Sequence, residues 1–136
     1  MLGTINIALS GLEAASKRVN ASASNIANLQ TVGSVEADGK APYDPLTTKQ
    51  TALNIDGNGA GVRSEIVSAG RPFVPSYSPD SPFANAEGLI GVPNINLAEE
   101  AVNLLIAETT YKANIATLKT AEELSDELLS IVDDRA

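Results

Sequence analysis

The 136-residue chain contains neither cysteine nor histidine. Without cysteine it can form neither a disulfide nor a thiolate metal site. Without histidine it lacks the usual general base and the commonest metal ligand. None of its lysines has a serine three residues before it, so a Ser-x-x-Lys catalytic pair is also absent. We therefore predict a protein that is not an enzyme, binds no small-molecule substrate and needs no cofactor or metal.

Basic residues are few. The chain has 9 Lys and Arg against 17 Asp and Glu, a net charge of −8, and the basic residues are scattered. Nucleic acids and anionic membranes attract concentrated positive charge, so we expect neither as a partner. No apolar run approaches the roughly 20 residues of a membrane span. The first positive charge is Lys17, and polar residues interrupt the apolar N-terminal pattern, so we expect no cleaved signal peptide.

The longest regular pattern runs from residue 94 to 132 without glycine or proline. Its apolar residues recur at three- and four-residue steps, which is the period of an amphipathic helix. A helix of about 35 residues spans roughly 50 Å. A small globule cannot bury so long a stripe, so we predict that it packs against another long helix, from this chain or a neighbour. The predicted contact residues are Leu104, Tyr111, Ile115, Leu118 and Leu128.

Residues 2–30 carry a second helical pattern, a heptad repeat whose later positions are small. Such a seam favours close packing over a strong isolated dimer, and Gly3 and Gly11 each lower helix propensity by about 1 kcal/mol. We expect this segment to be frayed alone in water and helical when its stripe is covered. The predicted seam consists of Leu2, Ile5, Leu9, Leu12, Val19 and Ile26.

Residues 32–93 are rich in glycine, proline and short polar residues and lose the helical period. Runs 47–55 and 62–67, separated by the sequence DGNGAG, predict a β-hairpin with a flexible tip. Residues 71–93 contain five prolines and predict an extended, irregular connector. Asn94 or Asn96 is then expected to cap the C-terminal helix.

The hairpin tip also matches a calcium-binding EF-hand loop at Asn54, Asp56, Asn58, Gly59 and Glu65. Three features oppose that interpretation: the first position is Asn, the eighth is Gly61, and the flanks are typical of strands rather than helices. A glycine-rich turn is therefore favoured.

The fold class predicted is mainly α with a small β insert. It has an N-terminal helix (1–31), a β-hairpin and irregular insert (32–93) and a C-terminal helix (94–136). The two terminal helices are expected to pack as a coiled-coil-like pair and form one unit.

Short motifs connect these segments to a known family. Residues 23–31, ASNIANLQT, resemble the S-N-I-A-N-x-x-T signature of bacterial flagellar rod, hook and hook-associated proteins, and residues 8–12, ALSGL, match that family's opening. Residues 88–96, GLIGVPNIN, and 111–114, YKAN, resemble motifs of its proximal-rod members. Residues 77–82, YSPDSP, are similar to the Y-D-P-x-x-P ahead of the same region. The motif positions are Ser24, Ala27, Thr31, Pro93, Asn94, Asn96, Glu100 and Ala113.

The resemblance implies a structural subunit of the flagellar basal-body rod, needed for motility. Such proteins are exported through the flagellar type III apparatus without a cleaved signal and polymerise into the rod that crosses the periplasm. The terminal helices would pack with other rod subunits and the basal-body adaptor. Another proximal-rod subunit and a cytoplasmic coiled-coil adaptor are the alternative interpretations.

Three asparagines are candidates for setting the assembly register. Asn25 and Asn28 lie three apart on one helical face, where their amides are expected to bond a neighbouring backbone. The alternative is that they only loosen and end the helix near Thr31. Asn114 has the same two interpretations, whereas Tyr111 is expected to anchor a core or interface.

Overall fold

A computed structural model describes residues 2–133. The element order is α1 (Leu2–Ala27), β1 (Leu46–Ile55), β2 (Asn58–Ser68), β3 (Val74–Tyr77), β4 (Leu89–Val92) and α2 (Leu97–Asp133). This order confirms a mainly α fold with a small β insert. Within residues 2–133 no helix is both long and apolar enough to cross a membrane.

The two long helices lie against each other in opposite directions. Asn25, near the end of α1, contacts Glu100 near the start of α2. Thr4, near the start of α1, lines the same surface groove as Ala121, much farther along α2. Because the contacts run in reverse order along the two helices, the pair is antiparallel.

Most buried side chains of the two helices are small. Gly11 lies against Asn114 so closely that a Cβ on Gly11 would come 2.5 Å from the Asn114 Oδ1. Small residues at a helix contact allow the two backbones to approach closely. The buried residues of α1 are Ala8, Ala14, Ala15, Ala21, Ser22 and Asn25, and those of α2 are Glu100, Ala107 and Ala121.

The large apolar residues of the predicted seams do not form the centre of this contact, and that part of the prediction is wrong for the helix pair within the chain. Apart from Leu128, which is seven residues after the buried Ala121, they occupy heptad positions that differ from those of the buried alanines, so helical geometry turns them sideways or outward. Ile5, Leu12, Leu104, Ile115 and Leu118 are half-buried. The exposed residues are Leu2, Leu9, Val19, Ile26, Tyr111 and Leu128.

Strands β1 and β2 form the predicted hairpin, paired from Leu46 opposite Ser68 to Ile55 opposite Asn58. The two residues of its turn, Asp56 and Gly57, have φ of 50° and 81°. Positive φ at both turn positions defines the hairpin turn that Asp-Gly sequences favour. The flanks of the EF-hand-like loop are therefore strands.

The hairpin lies along α1. Ser10 Oγ accepts a hydrogen bond from the Val62 backbone N–H at 3.0 Å, and Lys17 Nζ donates to the Ser64 carbonyl at 2.7 Å. Gly61, with φ of 113°, lies beside Ser10, and a Cβ there would come within 3.1 Å of the Ser10 Cβ. These contacts fix the hairpin on the side of α1 that does not carry Gly11.

The prediction of an irregular connector over residues 71–93 is wrong in part. β3 and β4 pair antiparallel within it, from Val74 opposite Val92 to Tyr77 opposite Leu89. Gly91 also exchanges two backbone hydrogen bonds with Gly33, at 3.0 and 2.8 Å. Proline is tolerated in a strand that has a free edge, as Pro75 is here. The second sheet ties the connector to the residues that follow α1.

Helix α2 begins at Leu97 rather than at Asn94. Asn96 Oδ1 accepts from the N–H groups of Ala98 and Glu99, at 3.0 and 3.4 Å, which is the geometry of an N-cap. Asn96 is therefore the cap, and Pro93 and Asn94 lie in the preceding loop. Residues 134–136 of the predicted C-terminal segment lie outside the described residues.

Replacing Gly61 by Ala is expected to destabilise the chain by about 2 kcal/mol, because positive φ strains a residue with a Cβ and Ser10 occupies the space. Gly59, two residues earlier, has open space around it, so Gly59→Ala is the matched control. Urea unfolding of the two purified variants measures the difference. Equal stability of the two variants would contradict the packing of the hairpin on α1.

Candidate functional site

The side chain of Asn25 joins four parts of the chain. It is 1% exposed and lies two residues before the end of α1, facing the base of the hairpin. Its Nδ2 donates to the Leu46 carbonyl at 2.8 Å and to Glu100 Oε1 at 2.7 Å. Its Oδ1 accepts from the Leu46 N–H at 2.8 Å and from the Tyr43 hydroxyl at 3.1 Å. Both donors and both acceptor positions of the amide are therefore used within this chain.

The amide of Asn25 bonds a backbone as predicted, but that backbone belongs to the same chain: it is the N–H and the carbonyl of Leu46. A buried amide whose hydrogen-bonding capacity is filled internally has none left for the backbone of another subunit. Asn25 thus connects α1, β1 and α2 within one chain, and its role in setting register stays a prediction. It contributes to any assembly surface only by holding these elements in place.

Asn28 forms hydrogen bonds at the C-terminal end of α1. Its Nδ2 donates to the Ser24 carbonyl at 2.9 Å, and its Oδ1 accepts from the Thr31 hydroxyl at 3.1 Å. Helix ends leave carbonyl groups without helical partners, and a local side chain can satisfy them. The structure therefore places Asn28 as the alternative interpretation did, at the end of the helix near Thr31.

Ser24 and Tyr43 extend the network around Asn25. The Ser24 hydroxyl and the Tyr43 hydroxyl are 2.9 Å apart and hydrogen-bonded. The Tyr43 N–H donates to the Thr31 carbonyl at 3.0 Å. Three motif positions, Ser24, Asn25 and Thr31, thus act together to fold the loop after α1 back onto the helix.

Glu100, which lies on α2, accepts a hydrogen bond from Asn25. The carboxylate is 6% exposed, and its Oε2 has no hydrogen-bond partner among the described residues. The neighbouring Glu99 is bound by Arg71, whose guanidinium donates to both carboxylate oxygens, at 2.8 and 2.5 Å. This hydrogen bond holds the pKa of Glu99 below its ordinary value. The start of α2 therefore carries one paired and one incompletely paired carboxylate.

The outward faces of the helices form the second candidate site. Two shallow grooves open along the helix pair, because small inner residues leave space between larger outer ones. One, of about 390 Å³, lies between Val19 and Tyr111, and the other, of about 360 Å³, lies between Thr4 and Leu124. Asn114 is half-buried beside Gly11 and donates to the Thr110 carbonyl at 2.8 Å. Ala113 is exposed on α2, and Ala27 is exposed where α1 ends.

Neither site has the parts of a catalytic centre. Within the part of the chain that the structure describes, no three Asp, Glu, Cys or His side chains come together as metal ligands. The buried polar groups at Asn25 instead connect structural elements. These hydrogen bonds hold α1, β1 and α2 together beside an apolar surface.

Comparison with known proteins identifies the family of this chain. The model described as "Flagella basal body rod protein" matches residues 5–33, and the one described as "Flagellar basal body rod FlgEFG protein C-terminal" matches residues 86–131. The flagellar basal-body rod protein FlgC of Salmonella typhimurium is 32% identical over 136 residues, which cover 96% of this chain and 97% of that protein. The chain belongs to the flagellar basal-body rod protein family.

Other members of this family match over similar lengths. FlgC of Buchnera aphidicola from Acyrthosiphon pisum is 35% identical, over 96% of this chain and 97% of the relative. FlgC of Bacillus subtilis is 27% identical, over 94% of this chain and 95% of the relative. The chain is thus FlgC-like along nearly its whole length, and it is a structural rod subunit. The relatives are structural rod proteins, a class that is not enzymatic.

Sequence reasoning missed the partners of Asn25. Tyr43 lies in a segment without periodicity, and the bonds to Leu46 are made by its backbone. The only signal was the presence of a tyrosine in a short loop rich in polar residues and proline. A buried asparagine requires partners, but the sequence does not say which backbone supplies them.

Replacing Asn25 by Ala is expected to destabilise the chain by about 3 kcal/mol, because the Leu46 amide groups and Glu100 lose their partner in a buried site. Asn20→Ala is the matched control, since Asn20 is exposed on the same helix and the change in helix propensity is the same. Urea unfolding of both purified variants tests this. If Asn25→Ala unfolded at the same urea concentration as Asn20→Ala, the central role of Asn25 would be refuted.

Proposed function

We propose that this chain assembles into the proximal part of the rod through the outward faces of α1 and α2. The proposal rests on which side chains of the helix pair are buried and which are exposed. The buried apolar residues of both helices are small alanines, whereas large apolar residues remain exposed on both helices. Water disfavours such exposed apolar side chains, and a neighbouring subunit would cover them.

The exposed apolar residues occur in both halves of each helix. Leu2 is 80% exposed at the start of α1, and Leu105 is 63% exposed in the first half of α2. The remaining exposed large apolar residues of these helices are Ile7, Leu9, Val19, Ile26, Leu97, Val102, Ile106, Tyr111, Leu124, Leu128, Leu129 and Ile131. We call this set the outer apolar surface. Fully burying one such side chain contributes about 1.5–3 kcal/mol.

The grooves beside Val19 and Leu124 support the same proposal. Each is large enough to accept one or two apolar side chains and is open along one side. Tyr111 at the rim of the first groove presents an aromatic ring to solvent, and its hydroxyl keeps a polar edge at the interface. Neighbouring subunits of similar helical construction would insert their own outer residues here. The exposed apolar residues among those named from the sequence contribute in this way, whereas Asn25 acts from inside.

The neighbours in this proposal are other rod subunits and the basal-body adaptor. The chain would reach them through the flagellar type III export apparatus, without a cleaved signal, and would lie in the rod where it crosses the periplasm. Export in an unfolded state agrees with helices whose inner contact is made of small residues, since such a contact buries little apolar area per turn. A cytoplasmic coiled-coil adaptor would instead need its large apolar residues on the inner seam.

The proposal predicts that the double variant Leu9→Gln, Leu128→Gln is incorporated into basal bodies at least about tenfold less than the wild type, because two apolar anchors lose their burial. Its stability as an isolated chain is expected to change by no more than about 0.5 kcal/mol, since both positions are exposed. Quantitative mass spectrometry of isolated basal bodies measures incorporation.

Asn6→Gln, an exposed and polar position on α1, is the control and is expected to be incorporated normally. Normal incorporation of the double variant would refute the assignment of these faces to subunit contacts.

A further inference from the structure

A polar cavity lies beside the start of α2. Its volume is about 100 Å³, and it is lined by side chains that include Asn25, Arg71, Asn94, Glu99, Glu100 and Asn103. A single water needs only about 10–15 Å³. The cavity is therefore large enough for the head group of a charged side chain, and it is partly open to the surface.

Glu100 gives this cavity an unsatisfied negative charge. The residue is 6% exposed, its Oε1 accepts from Asn25, and its Oε2 has no partner within residues 2–133. The N-terminal end of α2 favours a negative charge at this position, but it supplies no donor to Oε2. A buried, charged oxygen without a donor is costly, so an arrangement that supplies one is strongly favoured.

Among residues 2–133, no cation supplies that donor. Arg71 donates to both oxygens of Glu99 and is already paired. Arg18 lines an adjoining cavity of about 20 Å³ together with Glu100, but it forms no ion pair with another described residue. The larger cavity thus holds two carboxylates and one guanidinium, and it lacks one positive charge.

We propose that this cavity receives one cationic side chain, a lysine ammonium or an arginine guanidinium, from a neighbouring rod subunit. The inference rests on the proposed function, because the donor comes from the assembly. Glu100 would pair with the incoming cation through Oε2. Glu100 would then join the internal network at Asn25 to a contact between subunits.

The first variant places a positively charged side chain of this chain in the cavity. Asn103→Lys places an ammonium in the lining, three residues after Glu100 on the same helix, where it can pair with that carboxylate. The incoming cation then meets an occupied and neutralised site. We expect incorporation into basal bodies to fall by about thirtyfold or more, the scale for removing one partner from a buried charge pair. Asn103→Met has a similar length without the charge and is expected to stay within about twofold of wild type.

The second comparison removes the charge. Glu100→Gln is expected to lose incorporation like Asn103→Lys, whereas Arg18→Gln is expected to be incorporated normally. If Asn103→Lys does not fold, judged by circular dichroism, Asn94→Lys and Asn94→Met repeat the comparison from another position in the lining. Incorporation is measured against wild type in isolated basal bodies by quantitative mass spectrometry.

Three results would overturn the inference. Normal incorporation of the lysine variant would show that no cation enters. An equal loss in the lysine and methionine variants would show that shape matters and charge does not. Release of the wild-type chain from basal bodies by a chelator would assign the site to a metal ion. Failure of the wild type itself to appear in basal bodies would instead refute the proposed function.

Discussion

The close approach of α1 and α2 constrains the rest of this structure. Gly11 admits Asn114, and buried alanines recur along both helices, so the backbones come together over a narrow inner face. A helix that buries its small residues must turn its large ones elsewhere. The same geometry that pairs the two helices therefore leaves an apolar surface on their outer sides. Packing within the subunit and the surface for its neighbours have one cause.

The hydrogen bonds of the buried Asn25 side chain complement this contact. A seam of small residues buries little apolar area, and it specifies position along the helices only weakly. A buried amide bonded to the Leu46 backbone and to Glu100 allows one arrangement of helix, hairpin and helix. Buried polar groups can fix register in this way at some cost in stability. Within this network of described residues, Glu100 keeps one oxygen without a partner, and it lies beside a cavity that opens to the surface.

The sequence predicted what depends on local pattern. The run without glycine or proline predicted α2, and Asp56-Gly57 predicted the hairpin turn. The motif around Asn25 indicated the family. It did not reveal the second sheet, because strands of four residues among prolines have no usable periodicity. It also placed the large apolar residues on the inner seam. Heptad spacing identifies a stripe, but it does not tell whether a helix of the same chain or of a neighbour covers that stripe.

The central claim is that the outer apolar surface is buried when the subunit assembles, and the absence of cysteine makes it directly measurable. A single cysteine at Leu9, which is 49% exposed, can be labelled with a maleimide in the purified chain and in isolated basal bodies. The account predicts rapid labelling of the purified chain and strong protection in basal bodies. Labelling at the same rate in both would contradict it.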